Sequence, residues 1–356
     1  VELGVCIASH INDIDYAVAA EQLGYSHAWF ADSQMLWSDC YACLALAAVK
    51  TSTIQLGTGV AIAGTRPPAV NAAAIATINA LAPGRTFFGV GAGNTATRTM
   101  GLPPLRIKAF AEYLAQVLPL IRGDEAMMPH RGRQIPIKQL MPETGFVNFS
   151  APIPAYISGF GPKSLGLAGQ YGDGAVLAMP TSVDVMQLFW RWIEAGAKAS
   201  GRVIDRNQFH TTALTTIVLL QPGEQLTSRR IKEQCGAMAM ASVHFAYDQW
   251  RNFNKPPPVP FQGIWEDYCA LLESYPEYRR HQRIHAGHNC WVLPEEEHFL
   301  TAEVIAASCL VGTPDAVHDQ LAALAEVGLK QVMILPSFEP RYQVLKEVAK
   351  LLPGLG

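Results

Sequence analysis

Short, uninterrupted apolar runs recur along the chain, each followed by a stretch whose apolar positions return every three or four residues. The runs are 3–8 (LGVCIA), 27–31 (HAWFA), 54–60 (IQLGTGV), 86–91 (TFFGVG), 155–159 (AYISG), 174–179 (GAVLAM), 210–220 (HTTALTTIVLL) and 331–336 (QVMILP). Continuous rather than alternating apolarity marks parallel strands covered on both faces. The intervening stretches carry helix punctuation. In NDIDYAVAAEQLGY, Asn12 or Asp13 can cap a helix that Gly24 ends, and PPAVNAAAIATINALAPG opens on prolines and stops at Pro83 and Gly84. Eight strands with helical crossovers predict an α/β fold, a (β/α)8 TIM barrel in one domain over 1–356. A doubly wound open sheet is the rival, since strand number alone does not close a barrel. Two stretches break the rhythm: a Pro-rich excursion at 124–152 after strand 4, and a long, partly helical insertion at 223–310 after strand 7. Insertions of this size on a barrel are expected to roof the active site.

Composition narrows the class of partner. Of 356 residues, 49% are hydrophobic and 16% charged, enough for a large core and too few charges for a disordered chain. A net charge of -3 supplies no basic field for nucleic acid, and no apolar run is long enough to span a bilayer. The chain opens directly as a strand with no basic leader pattern, so a cytoplasmic protein is expected. The seven cysteines are scattered, which suits a reducing compartment. Cys40 and Cys43 form a C-x-x-C, read as buried thiols on a helix rather than a redox pair.

In a (β/α)8 barrel the chemistry sits at the C-terminal strand ends. Strand 2 ends in Asp32, with Trp37 five residues on, able to hydrogen-bond and to wall a ring; capping of the next helix is the alternative for Asp32. Strand 3 exits through a glycine-rich stretch. Strand 4 exits through Gly91-Ala92-Gly93-Asn94, small residues that let a flat ligand approach the backbone. After strand 5, SGFGPKS leads into a helix with Lys163 and Ser164 in its first turn, a credible phosphate site at a helix N-terminus. Within RRHQRIHAGHNCW, His281 and His285 are spaced one helical turn apart, yet no four-ligand set completes a metal site, and none is expected. His285 or His288 is expected to face the site as a proton donor. Glu295–Glu297 read as a charged surface run.

Three of these stretches, LGTGVAIAGTRPPAVNAAAIATINALAPGRTFFGVGAGNTATRTMG, PIPAYISGFGPKSLGLAGQYGDGAVL and GTPDAVHDQLAALAEVGLKQVMIL, resemble the bacterial luciferase-like superfamily of flavin and coenzyme F420 dependent oxidoreductases. The likeness is strongest to its methylenetetrahydromethanopterin reductase-like F420 branch. The resemblance implies a (β/α)8 barrel, a homodimer formed through helices flanking strands 2 and 3, and a non-proline cis peptide at Gly59–Val60. It implies cofactor contacts from Asp32, Gly59, Val60, Ala61, Gly93, Asn94, Thr97, Ser158, Gly159, Phe160, Gly161, Pro162, Lys163, Ser164 and Met179, with Asp32, Trp37, His285 and His288 as catalytic candidates. Two positions depart from the family pattern. Ser33 stands where several relatives carry histidine, and Asn94 where relatives carry an acid; asparagine cannot transfer a proton at neutral pH. The expected function is hydride transfer between coenzyme F420 and a small organic substrate. The alternatives are an FMN dependent monooxygenase and, from another class, a noncatalytic flavin-binding protein.

Overall fold

The computed structural model describes residues 1–355. Eight strand positions close a parallel barrel: β1 (Glu2–Ile7), β2 (His27–Phe30), β3 (Gln55–Thr58, resuming as Ala61–Ile62), β4 (Thr86–Gly91), β5 (Ala155–Ser158), β6 (Gly174–Ala178), β7 (His210–Thr215) and β8 (Gln331–Ile334). β8 pairs with β1 and with β7, and β3 pairs with β4, so no edge is left open. Each of the eight expected runs contains a barrel strand, and the open-sheet rival falls.

Each strand divides its residues between two cores because successive side chains point to opposite faces. Leu3, Val5, Ala28, Phe30 and Phe88 face the helical ring, whereas Cys6, Trp29, Phe87, Tyr156 and Met333 belong to the inner cluster. That inner cluster runs on into Met238, Tyr247, Tyr268 and Phe299 of the second insertion, so the insertion seals the barrel with its apolar side. Its spine is the 25-residue helix Arg229–Phe253, capped by the Ser228 hydroxyl, which accepts from the Ile231 N–H at 3.4 Å. The first insertion is an antiparallel hairpin, Ala126–His130 against Arg133–Ile137, lying on the outside.

Three local expectations need correction. The 210–220 run is two strands: after Thr215 the chain leaves the barrel, and Ile217–Leu219 pairs with Leu310–Gly312 at the far end of the insertion. The helix Asp15–Gln22 has no side-chain cap; Asp13 instead receives hydrogen bonds from Arg341 and Tyr342, tying the β1 exit to the chain after β8. Glu296 is 1% exposed rather than a surface residue, bound by His244 at 3.2 Å and Arg283 at 3.3 Å. Cys40 and Cys43 are fully buried on the helix Cys40–Lys50, and burial raises both thiols above their ordinary range. Among the described residues no helix is long and apolar enough to cross a membrane.

Candidate functional site

The exits of β3, β4 and β5 pack closely together around glycines. The Gly59–Val60 peptide is cis, as the resemblance implied. A Cβ on Gly91 would come within 2.9 Å of Val60 Cγ2 and 3.3 Å of Ser158 Cβ, so three adjacent strand ends meet there. Gly93 has φ +86°, a conformation that side chains disfavour, and a Cβ on it would strike Ile62. Beyond it Asn94 opens a short helix to Arg98, and the Thr97 hydroxyl donates to the Gly93 carbonyl at 2.5 Å. Ala61 is buried in the resumed part of β3, and Met179 is half-buried just past β6.

After β5 the loop turns sharply. A Cβ on Gly159 would meet the Leu165 backbone N at 2.8 Å, so glycine lets the loop fold against the helix Pro162–Tyr171. The first intrahelical bond runs from Leu165 N–H to the Gly161 carbonyl at 2.9 Å, which leaves the N–H groups of Lys163 and Ser164 without helical acceptors. Space around Gly161 is open, and Lys163 is exposed. Phe160 stands half out of the loop, edge-on to Phe245 of the long insertion helix at 6.0 Å. The insertion thus reaches the phosphate-type loop as well as the mouth.

Asp32 is held rather than free. It is 3% exposed and accepts from Arg66 through Nε at 3.3 Å and Nη2 at 3.2 Å, and from the Ile62 N–H at 3.4 Å. Arg66 also binds Asp39 at 2.7 Å, and Asp39 in turn caps the helix Cys40–Lys50 by accepting from Tyr41 and Ala42. Asp32 therefore orients the β3 exit, and the capping role belongs to Asp39.

Trp37 is half-buried and donates its indole N–H to Cys290 Sγ at 3.3 Å; its ring lies 6.3 Å from that of His288. The structure brings Trp37, His285 and His288 together: the two imidazoles are edge-on at 5.4 Å. His281 and His285 do not share a helix, because Arg280–Ile284 ends before His285. Burial holds His285 down to about 2, with His288, His244, Arg98 and His281 adding to the effect, and holds His288 down to about 3, with His244 adding. Both rings are neutral at pH 7. Reading the sequence missed Arg98 and Asp248, which pair at 3.3 Å, and Asp248 approaches His285 Nε2 at 4.0 Å. The available signal was spacing: His244 and Asp248 lie four residues apart on the helix face that also carries Met240, Val243 and Tyr247, all buried.

The profile of the family described as luciferase-like monooxygenase matches residues 11–331. A 5,10-methylenetetrahydromethanopterin reductase of Archaeoglobus fulgidus is 30% identical over 331 residues, covering 89% of this chain and 87% of that one. A second reductase of that name, from Methanolobus tindarius, is 33% identical over 196 residues, 52% of this chain and 56% of its own length, so that match spans about half of the relative. Among solved structures, the coenzyme F420 dependent tetrahydromethanopterin reductase of Methanopyrus kandleri superposes with a TM-score of 0.69 at 20% identity, over 100% of this chain and 99% of that one. A closed parallel barrel with glycine-rich strand exits at its mouth, matched over most of its length by sequence and over all of it by fold, belongs to the luciferase-like monooxygenase family of enzymes.

Proposed function

We propose that the chain is an oxidoreductase that exchanges a hydride between coenzyme F420 and a small organic substrate at the C-terminal mouth of the barrel. One observation carries the reading: Gly91 and Gly93 let the exits of β3, β4 and β5 pack closely together, and the β5 exit runs directly into a helix N-terminus that bears the exposed Lys163 beside open space at Gly161. The residues present fit the phosphate end of such a cofactor, since the space around Gly161 is open, Lys163 is exposed, and the N–H groups of Lys163 and Ser164 lack helical acceptors. The names of the relatives, reductases acting with methylenetetrahydromethanopterin or coenzyme F420, support the same choice.

When bound, the deazaflavin supplies a carbon that takes up or releases a hydride. The chain positions it. Gly59, Val60 and Ala61 line one edge, Gly93 and Asn94 the next, and Ser158 to Ser164 the phosphate end, where free N–H groups and the Lys163 ammonium meet negative charge. Trp37 and His288 close the opposite side, and the insertion excludes water from above.

Fluorescence titration with F420 and with FMN, each on the native chain and on Lys163→Ala, tests the reading. The expected result is F420 binding in preference to FMN, weakened about tenfold in the variant, as for one lost charge-assisted phosphate contact. Binding of FMN alone moves the chemistry to oxygen activation, and binding of neither removes the cofactor assignment.

The same reading includes a homodimer. Leu46 and Val49 on Cys40–Lys50, and Val70 and Leu81 on the neighbouring helix Pro68–Leu81, are exposed apolar residues on adjacent outer helices, which supports pairing of two copies there.

A further inference from the structure

The exit of β4 carries no group able to move a proton, yet the long insertion brings one to it. Asn94 Oδ1 accepts from Arg98 Nε at 2.9 Å, and the same Nε lies 3.3 Å from Asp248 Oδ2. Asn94 and Asp248 therefore hang on one guanidinium nitrogen, although Asp248 belongs to the last two turns of the helix Arg229–Phe253. Asp248 is 7% exposed. Its other neighbour is His285, whose Nε2 stands 4.0 Å from Oδ2.

Among the buried histidines, His285 is the one with both ring nitrogens unpartnered. It is 5% exposed; Nδ1 of the adjoining His288 is also bare, while its Nε2 meets Asn289 Nδ2 at 3.1 Å. Leaving a buried donor or acceptor unsatisfied is costly. Packing alone gives no return for two such rings side by side beside Trp37. A ligand with a donor and an acceptor does.

Building on the hydride-transfer reading above, we propose that His285 and Asp248 form the proton-handling pair of this site, His285 meeting the substrate oxygen and Asp248 acting as its positioning residue. In alcohol oxidation the C–H bond breaks and its electron pair leaves with the hydrogen as hydride to the cofactor. The O–H proton passes to a His285 nitrogen as the C=O bond forms, and Asp248 balances the resulting imidazolium. Carbonyl reduction runs the same steps backwards. The pair thus selects a carbinol/carbonyl couple over an iminium, whose carbon accepts hydride with no proton transfer. The charged and titratable groups around His285 are Asp248 and His244 on the long helix, Arg98 after β4, and His281 and His288 on its own segment. Asp248 is the acid among them, which makes it the one group able to favour a proton on the ring. Burial raises the Asp248 carboxyl against the opposing effects of Arg98 and His244.

The test uses the full chain with oxidised F420 bound, comparing the native protein with Asp248→Asn, Asp248→Glu and His285→Gln. Secondary alcohols from 2-propanol to cyclohexanol, the matching ketones and a cyclic iminium serve as probes, and 15N-histidine NMR reports ring tautomers. The expected result is F420 affinity close to native in both variants and a native melting temperature in His285→Gln, with alcohol oxidation slowed about 100-fold in Asp248→Asn and in His285→Gln, mainly in kcat; Asp248→Asn melts lower because it leaves the buried Arg98 without its carboxylate. The rate returns toward native in Asp248→Glu, which restores the carboxylate. The His285 ring signal, assigned by its absence in His285→Gln, changes tautomer in Asp248→Asn. Unchanged rates and unchanged His285 signals overturn the pair, as does a native protein that binds F420 but reduces only the iminium or acts on no probe. Failure to bind F420 overturns the cofactor reading and the pair together. Should Asp248→Asn fail to fold, His285→Gln carries the kinetic comparison.

Discussion

At the residue scale, the mouth of the barrel is organised by buried charges more than by exposed ones. Asp32 was legible as a strand-end acid, but what it does depends on Arg66, which arrives from the β3 exit and was invisible as a partner in one dimension. Removing one member of a buried pair leaves the other uncompensated, at about 3–5 kcal/mol. Arg66→Ala is therefore expected to cost about 3 kcal/mol, the lower end because Arg66 is 23% exposed while Asp32 is 2%. Urea unfolding measures this directly, and an unchanged midpoint would mean that Asp32 tolerates isolation. Asn94 shows the opposite relation between sequence and structure. Its inability to act as an acid was plain from its side chain, whereas the replacement, Asp248, became visible only once Arg98 was seen to bridge the two.

At the element scale, two helices fix the phosphate-type loop. The helix Pro162–Tyr171 packs backbone to backbone on Val183–Ala199, since a Cβ on Gly169 would fall on the Ile193 carbonyl and one on Gly196 on the Gly166 carbonyl. Glycine at both points lets the first helix lie close enough for its N-terminus to reach the mouth. Gly169→Ala gains helix propensity of about 1 kcal/mol yet overpacks the contact, for which about 1–3 kcal/mol is the usual cost. The variant is expected to melt at a lower temperature and to bind F420 about tenfold more weakly, read by calorimetry and fluorescence; native-like affinity would show that the loop position does not depend on this contact. The strand runs were legible from their apolar continuity, and the helix Pro68–Leu81 from its prolines. The break at Thr216 was not, because Ile217–Leu219 is as apolar as the strand before it. Only its partner, Leu310–Gly312, distinguishes the two.

At the scale of the whole molecule, burial of neutral histidines sets the response to acid. Beneath the mouth, His27 and His210 stack at 5.3 Å inside the barrel, and burial holds them down to about 4 and about 3; His285 and His288 are lowered in the roof. His27 has Glu2 at 3.5 Å, but Glu2 is half-exposed, and desolvation prevails. All four lie below the ordinary histidine value of about 6.5, so as pH falls past that value the unfolded chain takes up protons that the folded chain refuses. Stability is whole above about pH 6.5 and is lost as pH falls toward about 4, by up to about 1.4 kcal/mol per histidine per pH unit. The raised Asp248 opposes this with one group against four. The melting temperature should drop steeply between pH 6.5 and 5, and a flat profile would show that these rings are hydrated. If two copies pair through their outer helices, Val49→Glu should yield a monomer by sedimentation while the melting temperature of each barrel is retained. The strands, their parallel order, the small-residue exits and the Lys163 helix N-terminus were determined by the sequence alone, because periodicity and backbone-permissive residues act within a few positions of themselves. The pairing of Asp32 with Arg66, the burial of Glu296 and the meeting of Asn94, Arg98, Asp248 and His285 were decided only by tertiary structure, because each joins elements distant in the chain, and burial, which sets their charge states, belongs to no segment by itself.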